Sequence, residues 1–414
     1  MSISRPLVRS RSALAPALVA ALLPGLSRAA EVMTPDHVAK LRGVTSAAIA
    51  PDGSSVAYTL SVPRIPNEDE NGSAWTELHV VDRDGKSRGF VTGEVNVSRV
   101  SWRPGHDEIA FTARRGDDDH TALWVISTHG GEARKLLEHD ASIGDYSFSP
   151  DGTRVAFLAR DEAPKRAKDL KKKGFDAEVV EEELRFSRVW IAEPGNSDWE
   201  PRKLEIEGNP SELHWSPAGG KLAMALAPTP LVDDSYMAKK VSIVDVATGK
   251  LLHEYDNPGK LGQIAWSPDG KKIACISAED IHDPSEGRLM VADASGGRLV
   301  DVFPNFMGHV TTIAWSDADT ITFLTDQGTS SSVERISADG SNHVTVFPAG
   351  RAVLAGLTLS KDGRQGALRS ESPNHPPEVY AMNEGAKFAR RLTNVTWFEP
   401  SAEIRSTDEL VPWS

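Results

Sequence analysis

Trp266-Ser267-Pro268-Asp269-Gly270-Lys271 decides the fold. Ile264 and Trp266 lead into it, and Ile273, Ala274, Cys275 and Ile276 follow. Two apolar runs parted by Pro-Asp-Gly form a β-hairpin. Proline presets φ at the first corner, aspartate bonds back to its own backbone, and glycine relieves crowding at the exit.

The pattern recurs. Ala50-Pro51-Asp52-Gly53, Trp102-Arg103-Pro104-Gly105, Phe148-Ser149-Pro150-Asp151-Gly152 and Trp215-Ser216-Pro217-Ala218-Gly219 precede it; Trp315-Ser316-Asp317-Ala318-Asp319 and Leu359-Ser360-Lys361-Asp362-Gly363 follow. Counted from the proline or its equivalent, the spacings are 53, 46, 67, 51, 49 and 44. A period of about fifty marks a propeller or solenoid. Downstream of the hairpins, strands such as Leu78–Asp82, Leu123–Ile126, Ile243–Asp245 and Met290–Asp293 run into turns, and a short strand follows each. Four strands per unit, seven times, predict an all-β, seven-bladed β-propeller of four-stranded antiparallel blades. The blades are expected to begin near residues 44, 97, 143, 210, 262, 310 and 353, with Trp102, Trp215, Trp266 and Trp315 mostly buried between neighbouring blades.

The 414 residues are 39% hydrophobic and 25% charged, which excludes a disordered or fibrous chain. A formal charge of −13 disfavours nucleic-acid binding. Arg5, Arg9 and Arg11, the apolar run Ala13 to Leu26, and Ser27-Arg28-Ala29 make a signal peptide over 1–29. Its removal takes four arginines and leaves −17. A helical lead-in at 31–43 begins at Thr34-Pro35, the propeller occupies 44–394, and 395–414 forms a tail without periodicity. With this signal peptide the expected location is periplasmic or extracellular, and no later run is long enough to span a membrane. The single cysteine, Cys275, reads as a buried inert thiol.

The Trp-Ser-Pro-Asp-Gly-Lys hairpin resembles the repeat of TolB-type propellers and of the N-terminal propeller of prolyl oligopeptidase family serine peptidases. Met33-Thr34-Pro35-Asp36 through Leu41 and on to Gly53 is similar to the mature start of secreted bacterial members, the dipeptidyl aminopeptidases and acylaminoacyl peptidases. Arg391-Leu392-Thr393-Asn394 is similar to the segment that closes their last blade, just before the hydrolase domain. The resemblance implies chemistry on a Gly-x-Ser-x-Gly elbow followed by Asp and His. Gly328-Thr329-Ser330-Ser331-Ser332 and Gly195-Asn196-Ser197-Asp198-Trp199 both lack the final glycine, so no catalytic residue is assigned.

No His-Glu-x-x-His, Cys-x-x-Cys or His-x-His occurs, and no glycine-rich phosphate cradle, so neither a metal nor a cofactor is expected. Asp117-Asp118-Asp119-His120 reads as a solvated loop tip. The long third spacing places an insertion within Arg160 to Phe186: a basic run, Lys165 to Lys173, then Glu178 and Glu181 to Glu183. The basic half reads as a solvated helical face. In the dipeptidyl peptidases of this family a glutamate pair on a propeller insertion binds the substrate's free α-amino group. The resemblance of Val180-Glu181-Glu182-Glu183-Leu184 to that motif implies an amine clamp at Glu181 and Glu182, against the plainer reading of a charged strand edge.

Two functions are expected in turn. The first is the non-catalytic, substrate-gating propeller of a secreted serine peptidase, truncated here and inactive alone, whose partners are a peptide substrate or a hydrolase domain. The second is a stand-alone propeller that binds a protein partner in the cell envelope.

Overall fold

A computed structural model describes residues 34–175, 177, 181–195, 200–282, 286–350, 352–386 and 389–395. The expected signal peptide at 1–29, and all but the first residue of the expected tail at 395–414, lie outside them.

Thr34 caps a short helix α1 (Pro35–Ala39), its hydroxyl accepting from the His37 amide at 3.2 Å. Seven four-stranded antiparallel sheets follow, each built from four consecutive strands. The first strands begin at Gly43, Ser98, Ile143, Asn209, Leu261, His309 and Val353, each within one residue of expectation. No blade borrows a strand from the far end of the chain.

The second strand of each blade is sandwiched between both neighbours, and its two-residue period sorts its side chains. In blade four (strands 209–215, 221–227, 240–245 and 251–255), Leu222, Met224 and Leu226 face blade three, while Ala223 and Ala225 face blade five. That is why these strands are apolar throughout rather than alternating. The core is therefore seven separate clusters, one per blade interface, including one between blades seven and one, where Ala367, Val379 and Leu392 meet Val44, Tyr58 and Leu60.

The hairpin motif carries more than a turn. In blade five the Gly270 amide donates to Ser267 O at 2.8 Å, with Gly270 at φ 70°. The buried Ser267 hydroxyl donates to Asp269 Oδ1 at 2.7 Å and accepts from the Lys272 amide at 2.9 Å. Ser149 and Ser360 repeat both bonds. Trp102, Trp266 and Trp315 donate their indole N–H to Ala48, His214 and Ala265 carbonyls of the preceding blade, at 2.9, 3.0 and 3.2 Å. All four motif tryptophans are mostly buried as expected, Trp215 and Trp315 fully and Trp102 and Trp266 with part of their surface left open. Cys275 has no exposed surface, and burial pushes its thiol up to about 12, which holds it as an inert thiol.

Two further helices interrupt the loops between second and third strands. The basic run of blade three forms α2 (Lys165–Lys172), which buries none of its residues, and blade four carries α3 (Val232–Met237).

Candidate functional site

Antiparallel blades sort their loops onto two faces. The Pro-Asp-Gly hairpins and the third-to-fourth turns lie on one, the hairpin face. The second-to-third loops, the crossovers between blades, α1, and the exit after Arg391 lie on the other, the crossover face. Among the described residues, large apolar side chains exposed in loops and helices are confined to the crossover face. They include Phe175 at 66%, Val232 at 70%, Tyr236 at 67%, Ile281 at 49% and Met307 at 76% exposure.

A cavity of about 740 Å³ opens on this face between blades two, three and four. The innermost strands supply Arg99, Asp145 and Ser211; the blade-three insertion supplies Arg160, Glu162, Lys168 and Arg185. Arg99 meets Asp145 at 3.3 Å, and Lys168 meets Glu162 at 2.6 Å. Burial raises the Asp145 carboxyl above its usual range, against the opposing charge of Arg99. A second cavity of about 540 Å³ shares Arg99, Asp145 and Ser211 with the first and adds Tyr146, Glu212, His214 and Lys239. Tyr146 donates to Arg99 O at 2.6 Å. His214 Nε2 and Glu212 Oε1 are hydrogen-bonded. Burial alone would lower the His214 pKa, but the Glu212 hydrogen bond and the charges of Glu212 and Asp145 outweigh it, so it is raised.

These side chains also tie the blades together. The Leu213 amide donates to Asp145 Oδ2 at 3.3 Å, Ile264 to Glu212 Oε1 at 3.3 Å, and Ile313 to Gln263 Oε1 at 2.9 Å. In blades three, four and five a polar residue three places before the motif's Phe148, Trp215 or Trp266 thus satisfies an amide of the next blade.

Glu181 and Glu182 sit in an exposed turn with Glu181 at φ 66°, and neither lines the cavity. The structure instead brings Arg160 and Arg185 of the same insertion to it, residues the sequence did not single out. Asp118 of the acidic loop is paired with Lys135 at 2.5 Å, and among the described residues no three His, Cys, Asp or Glu side chains gather to hold a metal ion. Nor, among those residues, is any helix long and apolar enough to cross a membrane.

Residues 22–169 match the family model described as the lipoprotein LpqB beta-propeller domain. The chain is 28% identical over 323 residues to dipeptidyl-peptidase 5 of Porphyromonas gingivalis, an alignment covering 71% of this chain and 46% of that protein. It is 29% identical over 125 residues to an uncharacterized peptidase, YuxL, of Bacillus subtilis, covering 30% of this chain and 18% of that protein. The chain thus spans about half or less of the length of these curated relatives. Its fold is similar to that of an acylaminoacyl peptidase from Pyrococcus horikoshii, with TM-score 0.65 and 13% identity over 88% of this chain and 54% of that one. It is also similar to the propeller domain of the Trilobed protease from Pyrococcus furiosus, described as having an open velcro topology: TM-score 0.60, 15% identity, 86% of this chain and 97% of that one. The likeness read from the hairpins and the two ends is therefore met by peptidases in sequence and by peptidase propellers in fold.

Proposed function

We propose that this chain is the propeller portion of an exported serine peptidase of the prolyl oligopeptidase family, and that it gates peptide access to a hydrolase domain seated on the crossover face. The observation that carries this is the shared placement on that face of the exposed apolar side chains, the charged cavity, α1 and the exit after Arg391. A hydrolase domain following the last blade would cover the apolar patches and enclose the cavity between the two domains. The portion of dipeptidyl-peptidase 5 outside the alignment leaves room for such a domain. Glu181 and Glu182, on the same insertion as five cavity-lining residues, are proposed to hold the substrate's amine. Export rests on the Arg5-to-Ala29 pattern and on the lipoprotein family matched over 22–169.

The propeller itself is proposed to be non-catalytic. Acyl transfer at a useful rate needs a serine activated by histidine and donors aimed at the oxyanion. The purified chain should not hydrolyse chromogenic dipeptide or acyl-peptide substrates, and a fluorophosphonate probe should label none of its serines. Labelling of one serine with turnover would overturn this. The family reading is tested separately by the DNA 3′ of the Ser414 codon. It should encode a Gly-x-Ser-x-Gly elbow in some frame, and an unrelated gene there would favour a stand-alone scaffold.

A further inference from the structure

We propose that Arg160 and Arg185 form a carboxylate clamp at the mouth of the crossover-face cavity, binding a carboxylate of a short peptide. The argument starts from which charges are already satisfied. Arg99 is held by Asp145 and Lys168 by Glu162. Arg160 makes no side-chain hydrogen bond or ion pair among the described residues. Arg185 is tied only through Nε, which donates to Asp161 O at 2.9 Å, so both of its terminal nitrogens stay available. Against these two guanidinium groups the lining offers one carboxylate without an ion pair, Asp140. The unsatisfied charge of the cavity is therefore positive.

The two arginines are also held on a rigid base. Arg160 ends the second strand of blade three and pairs in register with Ser187 of the third strand; Arg185 lies two residues before that partner. Asp161 sits between them, its carboxylate taken by Arg188 Nε at 2.9 Å. Asp161 thus anchors Arg185 through its carbonyl without neutralising it. A planar guanidinium offers paired donors that match a carboxylate, and anchoring it beforehand reduces the entropy lost on binding. A cavity of about 740 Å³ falls within the size range of small-ligand sites.

This deepens the peptidase reading and rests on it only for the ligand being a peptide. The test reads binding, not hydrolysis, so a failure here leaves the family assignment to its own experiment. Three probes are titrated calorimetrically into the full chain: acetyl-Ala-Ala with a free C-terminus, acetyl-Ala-Glu-amide, and acetyl-Ala-Gln-amide. Acetylation removes the amine, so a glutamate clamp cannot contribute. At least one acid probe should bind fivefold or more tightly than the neutral one, and which acid does so distinguishes a terminal from a side-chain carboxylate. The preference should weaken in high salt. It should vanish in Arg160→Gln/Arg185→Gln and recover in part in Arg160→Lys/Arg185→Lys, whose charge remains but whose fork is lost. Both residues are exposed, so the thermal midpoints of these variants should match the parent. Equal binding of all three probes, or an undiminished preference in the glutamine double variant, would overturn the proposal.

Discussion

The Glu378 carboxylate, wholly buried in blade seven, accepts the Thr393 hydroxyl at 2.5 Å. It also takes Arg391 Nη2 at 2.8 Å and the Val395 amide at 2.9 Å, while Thr393 Oγ1 accepts from the Val379 amide at 2.9 Å. One carboxylate thus fixes the last described residues against the third strand of their blade. Glu378→Ala leaves these donors without their acceptor and should cost about 3 kcal/mol, the lower end for a broken buried pair because Arg391 reaches solvent. Thr393→Val should cost about 1–2 kcal/mol. Urea denaturation of both variants measures this; midpoints equal to the parent's would refute the clamp.

The tryptophans separate packing from hydrogen bonding. Trp315→Ala should cost roughly 3–5 kcal/mol, as a buried aromatic site is emptied, and the half-buried Trp102 less. Trp315→Phe also strands the Ala265 carbonyl, whereas the Trp215 indole N–H has no hydrogen-bond partner among the described residues. Trp315→Phe should therefore be less stable than Trp215→Phe by about 1 kcal/mol in denaturant titrations.

Gly363 stands at φ 69°, and a Cβ there would lie 1.9 Å from the Ser316 carbonyl oxygen of blade six. The left-handed backbone alone would cost an alanine about 1–2 kcal/mol, before any blade displacement. Gly363→Ala should lower the thermal midpoint clearly more than Gly130→Ala, whose added Cβ meets nothing within 4 Å although its φ is also positive, at 92°. Equal losses would show that the close approach of the blades does not matter.

The His214–Glu212 pair predicts a pH dependence. The folded-state pKa of His214 is raised above its ordinary 6.5, so its contribution is complete below about that pH and is lost as pH rises through the folded value. The thermal midpoint should fall on going from pH 6 to pH 8, and less steeply in His214→Gln. A parent and variant with parallel profiles would exclude the pair as the source.

The architecture was legible because it is local and repeated. Pro-Asp-Gly at 268–270 sets a hairpin by backbone chemistry alone, and seven copies locate seven blades. The motif serine was not legible in the same way. Its bonds to Asp269 and to the Lys272 amide appear only once the turn is closed, yet they explain why the hydroxyl is buried. Glu378 lacks any periodic signal, since its partners lie at 391, 393 and 395 across a strand pair. The cavity lay further out of reach: its walls come from residues as far apart as Arg99 and Ser211, which only the packing of three successive blades brings together.

Because each blade holds its own four strands, the order of joining is separable from the shape of the ring. Chain entry at Thr34 and exit at Val395 fall on one face at adjoining blades, so a short linker between them and new ends cut at another crossover should give a circular permutant with the same seven interfaces. The same independence bears on ancestry: a duplication or loss of about fifty codons adds or removes one complete sheet and leaves every other strand pairing intact.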